Sequence, residues 1–295
     1  MANKRATGDA TGASAAVAAA QTGFEDILGP RSRWTPKQRS RAGQLIQYAL
    51  IAAVVLVVAL LANWETISHQ ILSIEGLKKA GPLIWPAMQR TLLYTVSAFA
   101  VSVCLAVVLA LMKLSKVRLN RVLATGYIEF FRGIPALLWI MAVAYGIPLA
   151  LGVKIPGVTL KAAIALGMVS AAYLAESLRA GIQAVPKGQI EAAHSLGMSH
   201  AKTLRLVVLP QAIRIVLPPL TNEIILLTKD TSLVYVIGLT TADYELTKAA
   251  RESLAAPVGG LTSLFAIGAC YLLITVPLSM VVRRMERTGN ERANR

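Results

Sequence analysis

Residues 186–210, PKGQIEAAHSLGMSHAKTLRLVVLP, form a polar stretch with apolar segments on both sides. Within it, Ile190, Ala193 and Leu196 repeat at about every third position, and this spacing predicts one face of a short helix. Gly197 can end that helix, because glycine tolerates the left-handed conformation required just past the last turn. The stretch therefore predicts a short helix that stops at Gly197, at the edge of a membrane domain.

The second half of this stretch predicts another short helix. Ser199 can cap its amino end, and its apolar and basic residues fall on different sides. Pro210 has no amide proton, so it predicts a break or kink before the next segment. Two short helices joined by a tight bend suit a knob gripped by a soluble partner, although an ordinary interfacial loop has the same outline.

Several residues of the stretch resemble those of a known family. Glu191-Ala192-Ala193, Gly197 and Leu209-Pro210 resemble the EAA loop of permease subunits in ATP-binding-cassette (ABC) importers. The likeness covers about residues 87–285 and is similar to the branch of that family that takes up polar amino acids. The other matching residues are Gly188-Gln189, Gln211-Ala212, Arg214, Pro218, Asn222, Arg132-Gly133-Ile134-Pro135, Ala172-Tyr173, Glu176, Arg179 and Lys229-Asp230-Thr231-Ser232-Leu233.

The resemblance implies that the loop couples this chain to a separate nucleotide-binding subunit. The residues that this role implies are Gly188, Glu191, Ala192, Ala193, Gly197, Leu209 and Pro210. In this interpretation Glu191 caps or pairs at the docking cleft, and the small Ala192 and Ala193 allow close approach. Gly197 supplies the bend.

The composition indicates a membrane protein. The chain has 295 residues, of which 55% are hydrophobic, and a formal net charge of +15. Residues 91–112 and 259–282 are uncharged runs, each longer than the roughly 18 residues that indicate a spanning helix. Because the basic residues flank apolar segments, the charge fits membrane topology better than nucleic-acid binding.

The distribution of apolar residues predicts an all-α membrane protein with six transmembrane helices. Five of them resemble the core of a type I ABC importer permease, and one extra helix precedes that core. The expected spans are residues 43–62, 91–112, 134–152, 158–178, 213–239 and 259–282, the fifth interrupted by Pro218, Pro219 and the pair Lys229-Asp230. The expected domains are a basic, disordered tail at 1–42, an N-terminal helix at 43–62, an external loop at 63–86, the permease core at 87–285 with its coupling loop at 186–210, and a tail at 286–295.

The basic residues also predict the orientation, since they concentrate in cytoplasmic loops. Placing the N-terminus inside puts the basic clusters at 31–41, 113–132 and 283–295 inside, together with the loop 186–210. We therefore expect both ends to be cytoplasmic. The first apolar run starts late and no A-x-A site follows it, which favours a retained anchor over a secretory signal peptide. The resemblance implies the prokaryotic plasma (inner) membrane.

Charged residues inside spans are costly, by roughly 2.5–3.5 kcal/mol each, and so are functional candidates. Asn222 and Lys229 are seven residues apart and share a helical face, which predicts a polar path for a zwitterion. The candidates for this substrate path are Tyr173, Glu176, Asn222, Glu223, Lys229, Asp230, Thr231 and Ser232. Thr231 and Ser232 can also bond backbone carbonyls across a helix break. A purely structural interpretation, in which these charges pair with each other or with Arg179 and Arg214, explains the pattern equally well.

The sequence carries no catalytic or metal-binding pattern. It has no G-x-x-x-x-G-K-[ST] loop, so this chain cannot cradle ATP phosphates by that route, and no H-E-x-x-H or G-x-S-x-G motif. Cys104 and Cys270 lie in apolar runs and predict neither a disulfide nor a zinc site. His194 and His200 are six residues apart, the wrong spacing for ligands on one helical face, and are interpreted as loop residues. We expect no cofactor in this chain and place ATP and Mg²⁺ on the partner.

The resemblance implies a permease subunit of an ATP-driven importer for a polar amino acid. The partners it implies are nucleotide-binding subunits, an external substrate-binding protein and a second permease subunit, which is either a copy or a relative. The principal alternative is an ion-gradient-driven carrier or channel for a small polar solute. A membrane enzyme fits poorly, because no catalytic motif is present.

Overall fold

The computed structural model describes residues 36–71, 73–255 and 260–293, and within them it contains helices and no strand. The α-helices are α1 (Pro36–Leu61), α2 (Trp64–Ile71), α3 (Ile74–Leu114), α4 (Arg118–Gly133), α5 (Ala136–Leu151), α6 (Val158–Gln183), α7 (Lys187–Ser195), α8 (His200–Thr203), α9 (Leu209–Asp230), α10 (Leu246–Leu254) and α11 (Gly260–Ala293). Shorter 3₁₀ helices cover Thr231–Ile237 and Thr241–Asp243. The all-α prediction is confirmed for these residues.

In the described part of the chain, five helices are long and apolar enough to cross a membrane. They are Gly43–Leu61, Trp64–Leu114, Val158–Gln183, His200–Ile237 and Gly260–Glu286. The predicted third span, 134–152, belongs instead to a pair of helices, α4 and α5, that are bent by 105° at their junction. The number of candidate spans is six only if this bent pair forms one crossing.

The ends of the chain depart from the predicted boundaries. Helix α1 begins at Pro36, before the expected start of the first span, and α11 runs on to Ala293 through the expected tail. The rest of the tail predicted at 1–42 lies outside the described residues. The chain divides after Asn63 into two units: the described part of the first is α1 with the residues after it, and Trp64 begins the second.

Most of the segment predicted as an external loop, 63–86, is helical, and α2 and the first part of α3 lie in it. Helix α3 starts at Ile74, capped by the Ser73 hydroxyl, and continues through Pro82 and Pro86 into the apolar span. Prolines disfavour a helix interior, but here Ala80 and Ala87 are fully buried. Packing against α10 and α11 holds this part of the helix, since tertiary contacts outweigh local preference.

Two other prolines are accommodated by widening the helix just before them. Residues Ala142–Gly146 and Leu204–Val208 form π-helical turns, which precede Pro148 and Pro210 respectively. In each, an amide bonds the carbonyl five residues back, as from Leu209 to Leu204. A wider turn relieves the clash of a proline ring with the preceding turn. The chain thus stays helical at Pro210, where the sequence predicted a break or kink.

The centre of the larger unit is the packing of α3 on α6. Small residues recur every fourth position on both helices, and all of them are buried: Ala98, Ser102, Ala106 and Ala110 on α3, and Ala163, Gly167, Ala171 and Ala175 on α6. A Cβ on Gly167 would lie 2.8 Å from the Cβ of Val101. Small residues at such intervals let membrane helices approach closely.

An ion pair fixes which helix ends share one side of the bundle. Lys113, near the carboxyl end of α3, lies 3.2 Å from Glu176, near the carboxyl end of α6. The same lysine donates to the hydroxyl of Thr125 on α4. The loop 186–210 follows α6 directly, so it projects from this same side.

Candidate functional site

Helix α7 ends as the sequence predicted. Gly197 has a φ of +79°, and its amide donates to the carbonyl of His194 at 2.9 Å. The next amide, of Met198, reaches back to the carbonyl of Ala193 at 3.1 Å. This pair of bonds is a Schellman motif, in which a glycine beyond the last turn reverses the chain and satisfies the terminal carbonyls.

The second helix also begins at Ser199 as predicted, but it does not stop at Pro210. The Ser199 hydroxyl accepts the amide of Lys202, which caps α8. Helix α8 then continues through the π-helical turn into α9, and His200–Ile237 forms one apolar helical rod. The bend at Gly197 therefore connects α7 directly to a helix that crosses the membrane.

The bend presents a small exposed surface. Gly188, Glu191, Ala192, Gly197, Leu209 and Pro210 are all exposed. Ala193, which was also expected to take part in coupling, is only 5% exposed and packs inward. Its small size instead lets α7 approach Val185, Val208 and Ala212.

Leu196 was misassigned from the sequence. Its spacing predicted that it shares one helix face with Ile190 and Ala193, yet its side chain is 83% exposed whereas Ala193 is buried. It follows the last residue of α7, where the backbone leaves the helix, so helical spacing no longer applies. The available signal was its position directly before the helix-ending Gly197. An exposed leucine at the tip of a polar bend is well suited to insert into a partner.

Polar contacts tie α7 to the membrane helix beside it. The amide nitrogen of the Gln211 side chain donates to the Gln189 side-chain oxygen at 2.6 Å. His194 and His200 were expected in loops but lie in α7 and α8, where their rings pack edge-to-face with centroids 4.5 Å apart. These contacts link α7 directly to α8 and α9.

The substrate-path candidates do not form one cluster. Glu176 is held by Lys113 at 3.2 Å and by the guanidinium of Arg179 at 2.6 Å. Arg179 also donates to Gln183. These contacts agree with the purely structural interpretation, in which the Glu176 carboxylate pairs with neighbouring basic side chains.

Glu223 takes part in a second polar group inside the bundle. The Ser170 hydroxyl donates to the Glu223 carboxylate at 2.6 Å, and Ser102 lies 2.8 Å from Ser170. These three side chains link α9, α6 and α3. Polar groups in a membrane interior are satisfied in this way by neighbouring helices.

Other polar residues of α9 lie on its exposed face. Arg214, Asn222 and Lys229 are exposed, and Gln211 is half-buried on the same side. At 3.6 residues per turn these four positions form one stripe along the helix. No hydrogen bond or ion pair within the described chain engages the side chains of Arg214, Asn222 or Lys229. Exposed charges of this kind face water or another protein in preference to lipid.

The stripe ends where the helix changes type. Helix α9 passes into the 3₁₀ turn at Thr231, whose hydroxyl donates to the carbonyl of Thr228 at 2.7 Å. Asp230 and Ser232 are half-buried at this junction. Pro218 and Pro219, in contrast, do not interrupt α9. Tyr173 is 44% exposed on α6, with the guanidinium of Arg132 5.8 Å from its ring centre.

The described residues contain no group of three or more His, Cys, Asp or Glu side chains placed to hold a metal ion. The geometry is instead that of an all-helical membrane unit. An exposed bend projects from it, and a polar stripe runs along the helix attached to that bend. This combination fits a membrane-embedded transport subunit.

Comparison with known proteins identifies the class. The family described as "Binding-protein-dependent transport system inner membrane component" matches residues 102–288. This match covers more than half of the chain and includes the whole loop 186–210. The chain belongs to this family of membrane-embedded transport subunits.

Similar curated proteins are amino-acid permeases. The chain is 37% identical over 199 residues to a probable glutamine ABC transporter permease protein of Bacillus subtilis, covering 67% of this chain and 89% of that protein. It is 36% identical to an arginine transport system permease protein of the same organism, over 70% of this chain and 92% of that one. The two relatives are named for different amino acids, although this chain is almost equally identical to both.

Solved structures agree with the fold. A crystal structure of an amino acid ABC transporter with histidines is 36% identical and superposes with a TM-score of 0.65, covering 73% of this chain and 98% of that one. The inward-facing methionine ABC transporter MetNI is 16% identical with a TM-score of 0.55, over 73% and 98% of the two chains. The second likeness shows the fold alone.

Proposed function

We propose that this chain is a permease subunit of an ATP-driven importer for a polar amino acid. The observation that carries this proposal is the bend at Gly197, exposed at its tip and continuous with a membrane-crossing helix. Family membership and the names of the similar permeases support the substrate class. The hydrolysis of ATP, with its Mg²⁺, takes place on a separate nucleotide-binding subunit, because this sequence has no phosphate-cradling loop.

The nucleotide-binding subunit grips the exposed side of α7. Glu191 provides a charge and Leu196 provides an apolar anchor. Gly188 and Ala192 have small side chains or none, so the partner can approach the backbone closely. A central apolar anchor surrounded by polar contacts is the usual arrangement of a protein interface. Leu209 and Pro210 lie at the base of this surface and extend it toward the membrane.

Movement of α7 reaches the membrane through the helical rod His200–Ile237. The Gln189–Gln211 hydrogen bond and the packing of Ala193 couple α7 to this rod, so that a displacement of either one moves the other. Nucleotide binding closes the two ATPase subunits, draws the loops together and turns the cavity outward. Hydrolysis then returns the cavity inward, since the nucleotide favours one of two conformations.

The stripe on α9 lines the substrate path. Asn222 and Lys229 are free to meet a zwitterion, and Lys229 can pair with its carboxylate. A second permease subunit, a copy or a relative, faces this stripe and encloses the path. Glu176 and Glu223 hold helices together beside it, and Tyr173, Asp230, Thr231 and Ser232 shape its walls.

The importer sits in a prokaryotic inner membrane with both ends of this chain in the cytoplasm. The loop 186–210 then faces the ATPase, and an external binding protein delivers the amino acid from the opposite side. The excess of Lys and Arg in the segments placed inside supports this orientation.

Transport by reconstituted vesicles tests the proposal. The chain with its partner subunits should take up an amino acid only with ATP, and Lys229→Ala should reduce uptake more than it reduces folded yield. Lys154→Ala, in the exposed connection before α6, is the matched control and should leave uptake unchanged. Uptake driven by an ion gradient without ATP would favour a carrier instead, and equal losses of uptake and yield would give Lys229 a structural role.

A further inference from the structure

Helix α4 (Arg118–Gly133) has three distinct sides. One packs into the bundle through Ala124, Ile128 and Phe131. A second is apolar but exposed, with exposed fractions of 63%, 58%, 55% and 52% for Leu119, Val122, Leu123 and Phe130. The third is exposed and charged and carries Arg118, Arg121, Glu129 and Arg132. At 100° per residue these sides are centred about a third of a turn apart.

The exposed apolar side matches a lipid environment. Its four large side chains form one continuous stripe along the helix, and a charged side adjoins it directly. A helix that buries one side in protein, one in acyl chains and one in water must lie at the membrane surface. The 105° bend between α4 and α5 supplies the required direction, because it lets α4 lie across the bundle while α5 follows it.

The position of α4 in the chain agrees with this placement. It begins four residues after α3 ends, and Thr125 on α4 bonds Lys113 at the end of α3. Lys113 also pairs with Glu176, so α4 starts at the membrane face from which the loop 186–210 projects.

Two basic side chains at this end of α4 have no partner in the described chain. Those of Lys116 and Arg118 are exposed and form neither a hydrogen bond nor an ion pair there. Arg121, in contrast, donates to the carbonyls of Ser115 and Lys116, both at 2.9 Å, and so caps the end of α3. The free cations therefore sit beside the apolar stripe, where the headgroups of a bilayer would lie.

We propose that α4 is an interfacial helix that binds anionic phospholipid headgroups through Lys116 and Arg118. The exposed Leu119, Val122, Leu123 and Phe130 enter the acyl boundary, and the two cations meet the phosphates above it. Basic residues beside a membrane face gain from anionic lipid in this way. The inference depends on membrane embedding alone, so it stands or falls separately from the proposed substrate and ATPase partner.

Lipid quenching of a site-specific fluorophore tests this proposal. The purified chain, with Cys104→Ala and Cys270→Ala, carries a label at Val122→Cys and is reconstituted in phosphatidylcholine vesicles. Brominated phosphatidylglycerol or brominated phosphatidylcholine is added at equal mole fraction. We expect the anionic lipid to be favoured at this site by about fivefold for each of the two basic residues near the charged surface, and the preference to vanish in about 1 M salt.

Matched variants isolate the two cations. The double variant Lys116→Gln, Arg118→Gln should bring the ratio of quenching by anionic to neutral lipid close to one. The control variant Lys154→Gln, Lys161→Gln removes the same amount of charge near the start of α6 and should leave that ratio unchanged. A label at Leu273→Cys, 71% exposed in the middle of α11, should show no preference. Equal preference at positions 122 and 273 would overturn the proposal. So would a label at 122 that neither lipid quenches, because a second copy of the chain or another protein would then cover this side.

Discussion

At the scale of single residues, Gly197 sets the angle between α7 and α8. Its φ of +79° is one that residues other than glycine reach at a cost of roughly 1–2 kcal/mol. No side chain or backbone atom lies within 4 Å of the place where a Cβ would be. The need for glycine is therefore conformational and not steric, and substitution acts on the bend alone.

Gly197→Ala should weaken assembly with the nucleotide-binding subunit and leave membrane insertion intact, because the strain opens the bend that presents Leu196. Co-purification and stimulation of ATPase activity measure the effect. Gly268→Ala is the matched control, since this exposed glycine in α11 also has open space around it. If the two variants co-purify equally well, the bend is not the coupling element.

Glu245 is an unusual residue outside the membrane spans. Its side chain is fully buried and caps α10, accepting the amides of Thr247 and Lys248 at 2.5 and 2.7 Å. The Tyr271 hydroxyl donates to it at 3.3 Å. Burial raises the pKa of Glu245 from 4.5 to about 7, although these hydrogen bonds oppose the shift.

Glu245 should make stability depend on pH. Because the folded chain holds this proton more tightly than the unfolded chain, the stabilisation is complete below about pH 4.5 and is lost as the pH rises through about 7. Its full size is about 3 kcal/mol. The melting temperature of the purified chain, minus that of Glu245→Gln, should therefore fall between about pH 5 and pH 8. If the melting temperatures of the two proteins changed with pH in parallel, the Glu245 carboxyl would not titrate in this range.

Local signals explain which of these residues the sequence could predict. Gly197 and Ser199 act within one helical turn, so their capping roles were visible in the order of residues. Glu245 owes its burial to α10 packing on α3 and α11, which come from distant parts of the chain. Leu196 lies where helical spacing ceases to apply, and its exposure followed only from the position of the helix end.

At the scale of helices, close approach of α6 and α9 positions the loop between them. Gly181, near the end of α6, is buried, and a Cβ there would lie 2.1 Å from Cγ2 of Val216 on α9. The two helices touch at this point just before and after the bend. Their spacing therefore determines how α7 stands relative to the membrane.

Gly181→Ala should destabilise the chain by about 1–3 kcal/mol, the usual cost of overpacking a core. Val216→Ala in the same chain should recover most of this loss, because it removes the methyl groups that collide. A double-mutant cycle on the melting temperature measures the coupling between the two positions. Strictly additive losses would mean that α6 and α9 do not meet as described.

The positions of the helices could be predicted from the apolar runs, but the effect of the prolines on them could not. Pro82, Pro86 and Pro218 predicted a loop or interruptions, and each instead lies inside a helix. Local preference was outweighed by packing of neighbouring helices at the first two. At Pro148 and Pro210 a π-helical turn absorbs the missing amide, and that response is set by the geometry of the preceding turn.

At the scale of the whole molecule, polar groups are divided by role. The carboxylates of Glu176 and Glu223 are bonded within the bundle, whereas Asn222 and Lys229 are exposed on α9. The sequence predicted this set of residues but not the division, because spacing along one helix does not show what the neighbouring helices offer. The division points to α9 as the path-lining helix.

We propose that the bend at Gly197 lies on the cytoplasmic side and binds a separate ATPase subunit. Leu196→Cys, in a chain with Cys104→Ala and Cys270→Ala, should react with a membrane-impermeant maleimide in inside-out vesicles and not in right-side-out ones. Addition of the nucleotide-binding subunit should protect it, since Leu196 would enter the interface. Labelling from the outer side, or labelling unaffected by the partner, would contradict the account.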